Sequence, residues 1–369
     1  MSADVHAPAL ARLVDAVQTA RAMKAKLRIE AGGSKAFYGE ALQGDTQPLD
    51  VKPLAGISSY EPTELVVTAR AGTPLAELEA ALAERGQCLP FEPPRFAPGA
   101  TVGGMVAAGL AGPARAAVGG VRDYVLGATL LNGRAEVLSF GGQVIKNVAG
   151  YDVSRLLAGS LGVLGVIREV SLKVLPVAPA RATLRFELDE ASAIRRLNEW
   201  GGQPLPLSAS AWWEGTLVLR LQGATTAVQA AQAQLGGDVI EAAMADSFWT
   251  GLRDQHDEFF DGAQRALQAG AGLWRFSVPA TTAPLKLSGE QLIEWGGAQR
   301  WLCTTAPATT LREAAAAVGG HATLFRSTQP TPAGIFTPLK PPLDRIHRQL
   351  KQAFDPEGLF NPGRLVPGL

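Results

Sequence analysis

The run Phe96-Ala-Pro-Gly-Ala-Thr-Val-Gly-Gly-Met-Val-Ala-Ala-Gly-Leu-Ala-Gly-Pro113 carries almost no side-chain chemistry, and that is what makes it informative. Glycines stand at 99, 103, 104, 109, 112, 119 and 120, and Arg115 is the only charged residue between Gly99 and Val121. A glycine leaves its amide unscreened by a Cβ and tolerates positive φ, so consecutive amides can converge on an anion. A pyrophosphate could be held this way without a cluster of lysines. Any single Gly-Gly pair on its own reads as an ordinary tight turn. Downstream, Lys146-Asn-Val-Ala-Gly-Tyr-Asp152 adds a cation and a carboxylate, read either as a structural ion pair or as direct contacts to a bound group.

These loops need elements to position them. Leu10, Leu13, Val14, Val17 and Met23 recur at the spacing of an amphipathic helix over 10–27, which leads into a short strand, Leu27-Arg-Ile-Glu-Ala31, ending at Gly32-Gly-Ser-Lys35. Leu65 to Ala69 reads as a strand. Thr73 to Gly86 reads as a helix with Thr73 as cap, Pro74 in the first turn and Gly86 as stop. Asn132-Gly133 between two apolar runs predicts a hairpin closed by a two-residue type I′ turn. Val170 to Leu175 alternates at period two and is stopped by Pro176 and Pro179, which marks a domain boundary. Beyond it, strands at 182–188 and 216–221 interleave with helices at 191–200 and 225–235. That order suits an antiparallel α+β unit, with a parallel sheet left open. A proline-rich link from Pro330 to Pro342 precedes a last helix over 343–354.

Composition narrows the function classes. Lys plus Arg and Asp plus Glu are 34 each in 369 residues, so no net field favours nucleic acid or an anionic membrane surface. Cys88 and Cys303 are too few for a disulfide framework, a thiolate zinc cage or the ligands of an iron–sulfur cluster. A reducing, cytoplasmic setting is expected. The N-terminus lacks the pattern of a signal peptide, and the uncharged stretch 96–114 has too many glycines and prolines for a membrane helix. The glycines of Gly159-Ser-Leu-Gly-Val-Leu-Gly165 do not make a dinucleotide fingerprint, because a helical segment precedes them and a strand follows, the reverse of the required order.

Taken in register, Gly32-Gly-Ser-Lys35, Tyr60 to Val66, Ala100-Thr-Val-Gly-Gly104, Arg122 to Gly127, Lys146 to Asp152 and Gly159 to Val166 resemble the FAD domain of the vanillyl-alcohol oxidase and p-cresol methylhydroxylase (PCMH) type flavoproteins. The resemblance covers 29–175. The tail Asp355-Pro-Glu-Gly-Leu-Phe-Asn-Pro-Gly363 is similar to the C-terminal segment of the 2-hydroxy-acid dehydrogenase branch. Gly32 to Gly39, Lys146 to Asp152 and Trp295-Gly-Gly-Ala-Gln-Arg-Trp301 resemble the glycolate oxidase E-subunit family over nearly the whole length.

That resemblance implies an α+β fold. A two-lobed PCMH-type FAD-binding domain would span 1–178, with lobes 1–70 and 71–178. A cap domain with an antiparallel sheet would span 179–335, and a segment over 336–369 would return to the FAD domain. It also implies non-covalent FAD, held by Gly32, Gly33, Ser34 and Lys35 on one side of the pyrophosphate and by Pro98, Gly99, Thr101, Val102, Gly103 and Gly104 on the other. Gly109, Gly112, Lys146, Gly150, Asp152 and Gly162 would complete the bed, Val166 would offer main chain to the adenine, and Asn361 would close the site. The implied activity is oxidation of glycolate to glyoxylate, or of D-lactate, in a complex with a larger flavin subunit and an iron–sulfur subunit. Such a complex would be cytoplasmic or peripheral at the inner membrane. A structural flavin subunit that does not turn over, and a stand-alone D-2-hydroxy-acid dehydrogenase, are the alternatives.

The sequence departs from that pattern in two ways. No histidine flanks the first glycine loop, which argues against covalent flavin, and no histidine-rich base or metal cluster is present among His6, His256, His321 and His347. Oxidising a hydroxy acid also requires a cation to grip its carboxylate, for which an arginine fork is suited. Arg275 in Trp274-Arg-Phe276 and Arg300 in Gln299-Arg-Trp301 are the candidates, though each reads first as an arginine stacked on a tryptophan at a domain seam.

Overall fold

The computed structural model describes residues 7–142 and 152–369. Helix α1 (Ala7–Met23) buries Leu13, Val17 and Ala20, spaced along one face, against strand β1 (Lys26–Glu30). β1 pairs in parallel with β2 (Thr46–Asp50). The chain's end joins this small sheet: Leu27 N–H donates to Leu359 O at 2.8 Å and Asn361 N–H to Leu27 O at 2.9 Å.

β3 (Ile57–Glu61) and β4 (Val66–Arg70) open a five-stranded antiparallel sheet. Helix α2 (Leu75–Ala83) packs Leu75, Leu78 and Leu82 beneath it. The short strand β5 (Gln87–Cys88) and helices α3 (Val102–Ala108), α4 (Arg115–Val118) and α5 (Val121–Tyr124) lead into β6 (Val125–Leu131) and β7 (Val137–Gly141). β8 (Val166–Lys173) inserts between β4 and β6, giving the order β3-β4-β8-β6-β7, and β9 (Leu175–Pro176) pairs with β5. Because β4 hydrogen-bonds to β8, the strand ending at Arg70 belongs with 71–178, so the lobe division expected at residue 70 does not coincide with the sheets.

Two local expectations give way to packing. Helix α2 is capped by Pro74 and ends at Ala83; Thr73 instead uses its hydroxyl on Gly56, accepting from its N–H at 2.9 Å and donating to its carbonyl at 3.1 Å. The β6–β7 hairpin closes through a three-residue loop, with Ala135 N–H on Asn132 O and Ala135 in the left-handed region at φ 63°. Gly133 serves close approach: a Cβ there would collide with the Asp355 carboxylate.

The second unit is an eight-stranded, fully antiparallel sheet. Its elements in chain order are β10 (Ala180–Glu187), α6 (Glu190–Gly201), β11 (Leu207–Trp213), β12 (Thr216–Gly223), α7 (Thr225–Leu235), β13 (Asp238–Ile240), α8 (Ala242–Asp254), α9 (Glu258–Gln268), β14 (Gly272–Ser277), β15 (Glu290–Glu294), β16 (Gln299–Thr304), α10 (Ala308–Ala317) and β17 (His321–Ser327). The strand order is β13-β10-β12-β11-β15-β16-β14-β17. One core cluster joins both units, with Tyr38, Ala108 and Leu110 packed among Trp301, Phe260 and Phe325.

Helix α11 (Leu343–Phe354) then brings the chain back. Buried Lys351 donates from Nζ to Val163 O at 2.8 Å, to Phe360 O at 2.9 Å and to Asp355 Oδ2 at 2.7 Å, while Asp355 receives the Leu359 and Phe360 amides. A buried pair with every donor and acceptor used in this way fixes geometry more than it adds stability. Here it fixes the segment that carries Asn361.

Candidate functional site

A cavity of about 510 Å³ opens between β1, the 32–38 loop, the start of α3 and the 161–165 loop. Gly32, Gly33, Ser34, Lys35, Thr101, Gly103, Gly104, Gly162 and Asn361 all line it, brought together from four stretches of sequence. Close approach explains the glycines. A Cβ on Gly32 would overlap Gly99 O, so these two residues let the loops touch, and a Cβ on Gly103 would stand 2.6 Å from Ala71 Cβ. On the cavity side Gly33, at φ 70°, has nothing of the protein within 4 Å of an added Cβ, and Gly104 has only the Thr101 hydroxyl, which accepts its amide at 3.2 Å. Backbone is therefore bared toward open space at Gly33, while the Gly103 and Gly104 amides are engaged by Ala71 O and the Thr101 hydroxyl.

The other expected residues do not line this cavity. Pro98 and Gly99 lie on the exposed outer side of the loop. Val102 is buried with its amide on Thr73 O, and Val166 is fixed in β8 opposite Leu131, leaving Gly165 and Ile167 at the wall. Gly109 ends α3 at φ 63°, where a Cβ would stand 2.7 Å from Gly159 N; a Cβ on Gly112 would collide with Glu92 O. Both serve chain packing. Asp152 pairs with Arg155 at 2.8 Å and accepts from Ser154 Oγ, away from the cavity, while Lys146 and Gly150 lie outside the described residues. Asn361 acts as a brace: Oδ1 accepts the Ile29 amide at 2.9 Å and Nδ2 donates to Leu161 O at 2.7 Å. Arg364, which sequence reasoning passed over although it closes the Asn-Pro-Gly-Arg tail, also lines the cavity and donates to the carbonyls of Ala36, Tyr38 and Glu40.

Lys35 is one of three cations lining this groove, with Arg28 and Arg364. Its Nζ sits 5.5 Å from the Phe96 ring centroid and has no carboxylate within ion-pair distance among the described residues. Burial pushes its pKa down to about 8, against the pull of Asp254 and Glu79. Those two carboxylates are already engaged, Asp254 by Arg253 at 2.6 Å and Glu79 by Arg95 at 2.5 Å.

Where the two units meet, side chains replace bare backbone. Phe37, Phe96 and Phe325 form a shell of mutually edge-on rings with Tyr38 tilted against Phe325, and Arg326 lies 3.6 Å from the Phe37 centroid with its donors on Gln255 Oε1. Burial alone lowers Arg326 to about 10. Arg275 donates to Tyr38 Oη at 3.0 Å. Neither arginine has a carboxylate partner among the described residues, so the seam holds excess positive charge. Arg300 does not join them. Only 1% exposed, it donates to the carbonyls of Gly297 (3.1 Å), Ala283 (2.9 Å) and Thr282, so it is a buried internal brace. Sequence reasoning also missed Glu294, buried beside Trp301 and Gln299, with only its place before Trp295-Gly-Gly as a signal.

Residues 3–141 match the FAD binding domain family. Over 357 residues, 97% of either chain, the sequence is 47% identical to glycolate oxidase subunit GlcE of Escherichia coli (strain K12). The chain belongs to the glycolate oxidase E-subunit family. It therefore has FAD as its cofactor and belongs among FAD-dependent oxidoreductases that work as subunits. A further likeness is to glycolate oxidase subunit GlcD of Bacillus subtilis (strain 168), 29% identical over 152 residues, 40% of this chain and 32% of that one. Among solved structures, alkyldihydroxyacetonephosphate synthase superposes with a TM-score of 0.62 at 15% identity, covering 95% of this chain and 74% of that one, which establishes the PCMH-type fold. No described helix of this E subunit is long and apolar enough to cross a membrane.

Proposed function

We propose that this chain is the FAD-binding subunit of a complex that oxidises glycolate to glyoxylate and passes the electrons to an iron–sulfur subunit. The observation carrying this is the glycine-lined cavity, whose size lies within the range of small-molecule and cofactor sites. Its donors suit a diphosphate: amides at 32–34, hydroxyls at Ser34 and Thr101, and Lys35, which has no carboxylate within ion-pair distance among the described residues. When bound, FAD would supply the hydride acceptor that a 2-hydroxy acid needs. The protein's own residues would bind and orient. Gly32, Gly33, Ser34 and Lys35 hold one side of the diphosphate, Thr101, Gly103 and Gly104 the other, and Gly162 and Asn361 narrow the far end. No histidine sits in the first glycine loop, so the attachment is non-covalent.

The partner reading follows from electron bookkeeping. Cys88 is half-buried and Cys303 buried, and two thiols cannot ligate a four-cysteine cluster. An onward one-electron carrier must therefore sit on another chain. We assign 1–178 to the FAD domain, 179–335 to the cap, and 336–369 to the returning segment. The test is copurification from native extract, counting flavin and iron per assembly and assaying glycolate and D-lactate. The reading predicts one FAD on this chain, iron on a partner and turnover of glycolate. A chain that takes up no FAD, even in excess, sinks it. Reduction of the isolated chain by D-lactate would point instead to a stand-alone dehydrogenase.

A further inference from the structure

The loop that presents Gly33, Ser34 and Lys35 to the cofactor cavity has little to hold it from within. Among the described residues its internal main-chain bonds are two turns, Ala36 N–H to Gly33 O and Tyr38 N–H to Lys35 O, both at 3.0 Å. Glycine has the most conformational freedom to lose on ordering, so a loop opened by Gly32 and Gly33 keeps one shape through contacts made from outside. Two distant stretches of the chain supply them.

The first is the tail. Arg364 Nη1 donates to Glu40 O at 3.0 Å, and Nη2 donates to Tyr38 O at 2.8 Å and to Ala36 O. Its own carbonyl accepts the Glu40 amide at 2.9 Å, and Pro362 O accepts Gln43 N–H at 2.9 Å. Gly39, at φ 112°, turns the loop backbone against this guanidinium, where an added Cβ would stand 2.9 Å from Arg364 Nε. Asn361 ties the same tail to Ile29 and Leu161, both on the cavity wall.

The second is the link that leaves the cap. Glu40, 7% exposed, receives the amides of Ile335 (2.6 Å) and Phe336 (3.0 Å) on Oε1. Ile335 O in turn accepts the Leu324 amide of β17 at 3.0 Å, and Arg312 of α10 donates to Ala333 O at 2.6 Å and to Gly334 O at 2.8 Å. Beside Glu40, the Tyr38 ring centroid lies 5.3 Å from that of Phe325 and 5.6 Å from that of Phe336. Burial pulls Arg312 and Arg364 below the usual arginine range, and the Glu40 charge opposes that on both. One carboxylate therefore acts on the cap link and on the tail together.

We propose that Arg364 and Glu40 are positioning residues that clasp the 33–40 loop between the tail and the cap, so that FAD binding and the docking of 333–336 on the loop favour each other. This rests on the reading of the glycine-lined cavity as the FAD site. The two side chains act through the loop: both Arg364 Nη atoms are on loop carbonyls, and Glu40, Ile335 and Phe336 line no part of the cavity. Without the clasp the loop occupies its binding shape for a smaller fraction of the time, and the apparent affinity falls by that fraction. Linkage makes the effect reciprocal, so a loop held by cofactor also holds the link. The cap then registers whether the groove is filled.

The test titrates the full chain, stripped of flavin, with FAD and compares amide hydrogen exchange with and without saturating FAD. Arg364→Met should weaken FAD binding by about tenfold or more, as the binding-competent fraction of the loop drops by that factor, and Arg364→Lys, which keeps the charge but reaches fewer carbonyls, should recover part of it. Glu40→Gln, which keeps the shape but gives up the charge-assisted bonds, should weaken it by roughly threefold. In the wild type, saturation should slow exchange at Ile335 and Phe336 by about threefold or more, although neither lines the cavity, and Glu40→Gln should shrink that response. A role in packing alone would lower the melting temperature without moving either readout. Should Arg364→Met fail to fold, the wild-type exchange and Arg364→Lys carry the test. Wild-type affinity in a folded Arg364→Met, or exchange at 335–336 that ignores FAD, overturns the clasp while the groove remains the FAD site. A wild-type chain that takes up no FAD, even in excess, overturns both.

Discussion

The cofactor groove and the domain seam lie side by side and are built on opposite plans. The groove is shaped by what is missing: glycines at 32, 33, 103 and 104 remove side chains so that loops touch and, at Gly33, backbone faces open space. The seam is shaped by what is added. Arginines at 275 and 326, aromatic rings from both units and one buried carboxylate are packed together there, with Arg300 bracing the 295–297 turn behind them. A ligand can be gripped by backbone with little dependence on side-chain identity. Proton transfer and carboxylate recognition cannot, since they need particular atoms with tuned charge.

If that contrast is right, the seam should be the more fragile of the two. Arg300→Met should show the largest effect, because it strands three carbonyls that the guanidinium now satisfies inside the protein. Each buried acceptor left unpaired costs about 1–3 kcal/mol, so a loss on the order of 3–5 kcal/mol is expected in chemical denaturation. A variant that binds FAD normally and loses less than about 1 kcal/mol would show that Arg300 is not the brace of the 295–297 turn. Gly32→Ala should come next. The new Cβ overlaps Gly99 O, and neither chain can yield without opening the groove. The second unit does not depend on that contact, so the expected outcome is a folded chain with a lower melting temperature, by roughly 2 kcal/mol of stability, and little bound flavin. Normal FAD content in this variant would break the claim that backbone contact shapes the groove.

The two regions also differ in how far they were legible in the sequence. The groove was readable because glycine is informative wherever it clusters: Gly32 to Lys35, Thr101, Gly103 and Gly104, which the family resemblance implied, line the cavity. Even there, spacing could not separate glycines that face a ligand from those that face other chain, and Gly109 and Gly112 turned out to be of the second kind. The hairpin at Asn132-Gly133 failed similarly, since Gly133 answers to Asp355, more than 200 positions away in sequence. The seam was almost unreadable. Arg275 and Arg300 look alike in sequence, each beside a tryptophan, and only the fold shows that one is spent on carbonyls while the other is not. Glu294 becomes distinctive only through burial, which is a property of the assembled sheet and not of its neighbours in sequence.

Lys35 brings a titratable cation to the backbone-built groove, and pH sharpens its role. Burial lowers it to about 8 in the free chain, and a diphosphate beside it would favour the ammonium and raise its pKa. Binding would then take up a proton above pH 8. FAD affinity should be fully present below about pH 8 and decline as pH rises further, by at most about tenfold per unit. Lys35→Met should weaken binding at pH 7 by about tenfold and remove the decline. A wild-type affinity that is flat between pH 7 and 10 would show that the phosphates rest on amides alone, and would extend the contrast between groove and seam to its limit.

The smallest effect is expected at Asp152, where sequence left an ion pair and a cofactor contact as equal readings. Its carboxylate pairs with Arg155 at 2.8 Å, with the two side chains 41% and 40% exposed, and accepts the Ser154 hydroxyl at 2.9 Å. An exposed pair of this kind contributes at most about 0.5–1 kcal/mol, and Asn keeps the acceptor that Ser154 needs. Asp152→Asn should therefore move stability by less than about 0.5 kcal/mol and leave flavin content unchanged in equilibrium dialysis. If FAD occupancy instead fell by half or more, a charged side chain outside the lined cavity would be acting on the cofactor. The groove would then share the logic of the seam, and the opposition between a backbone-built site and a side-chain-built one would no longer hold.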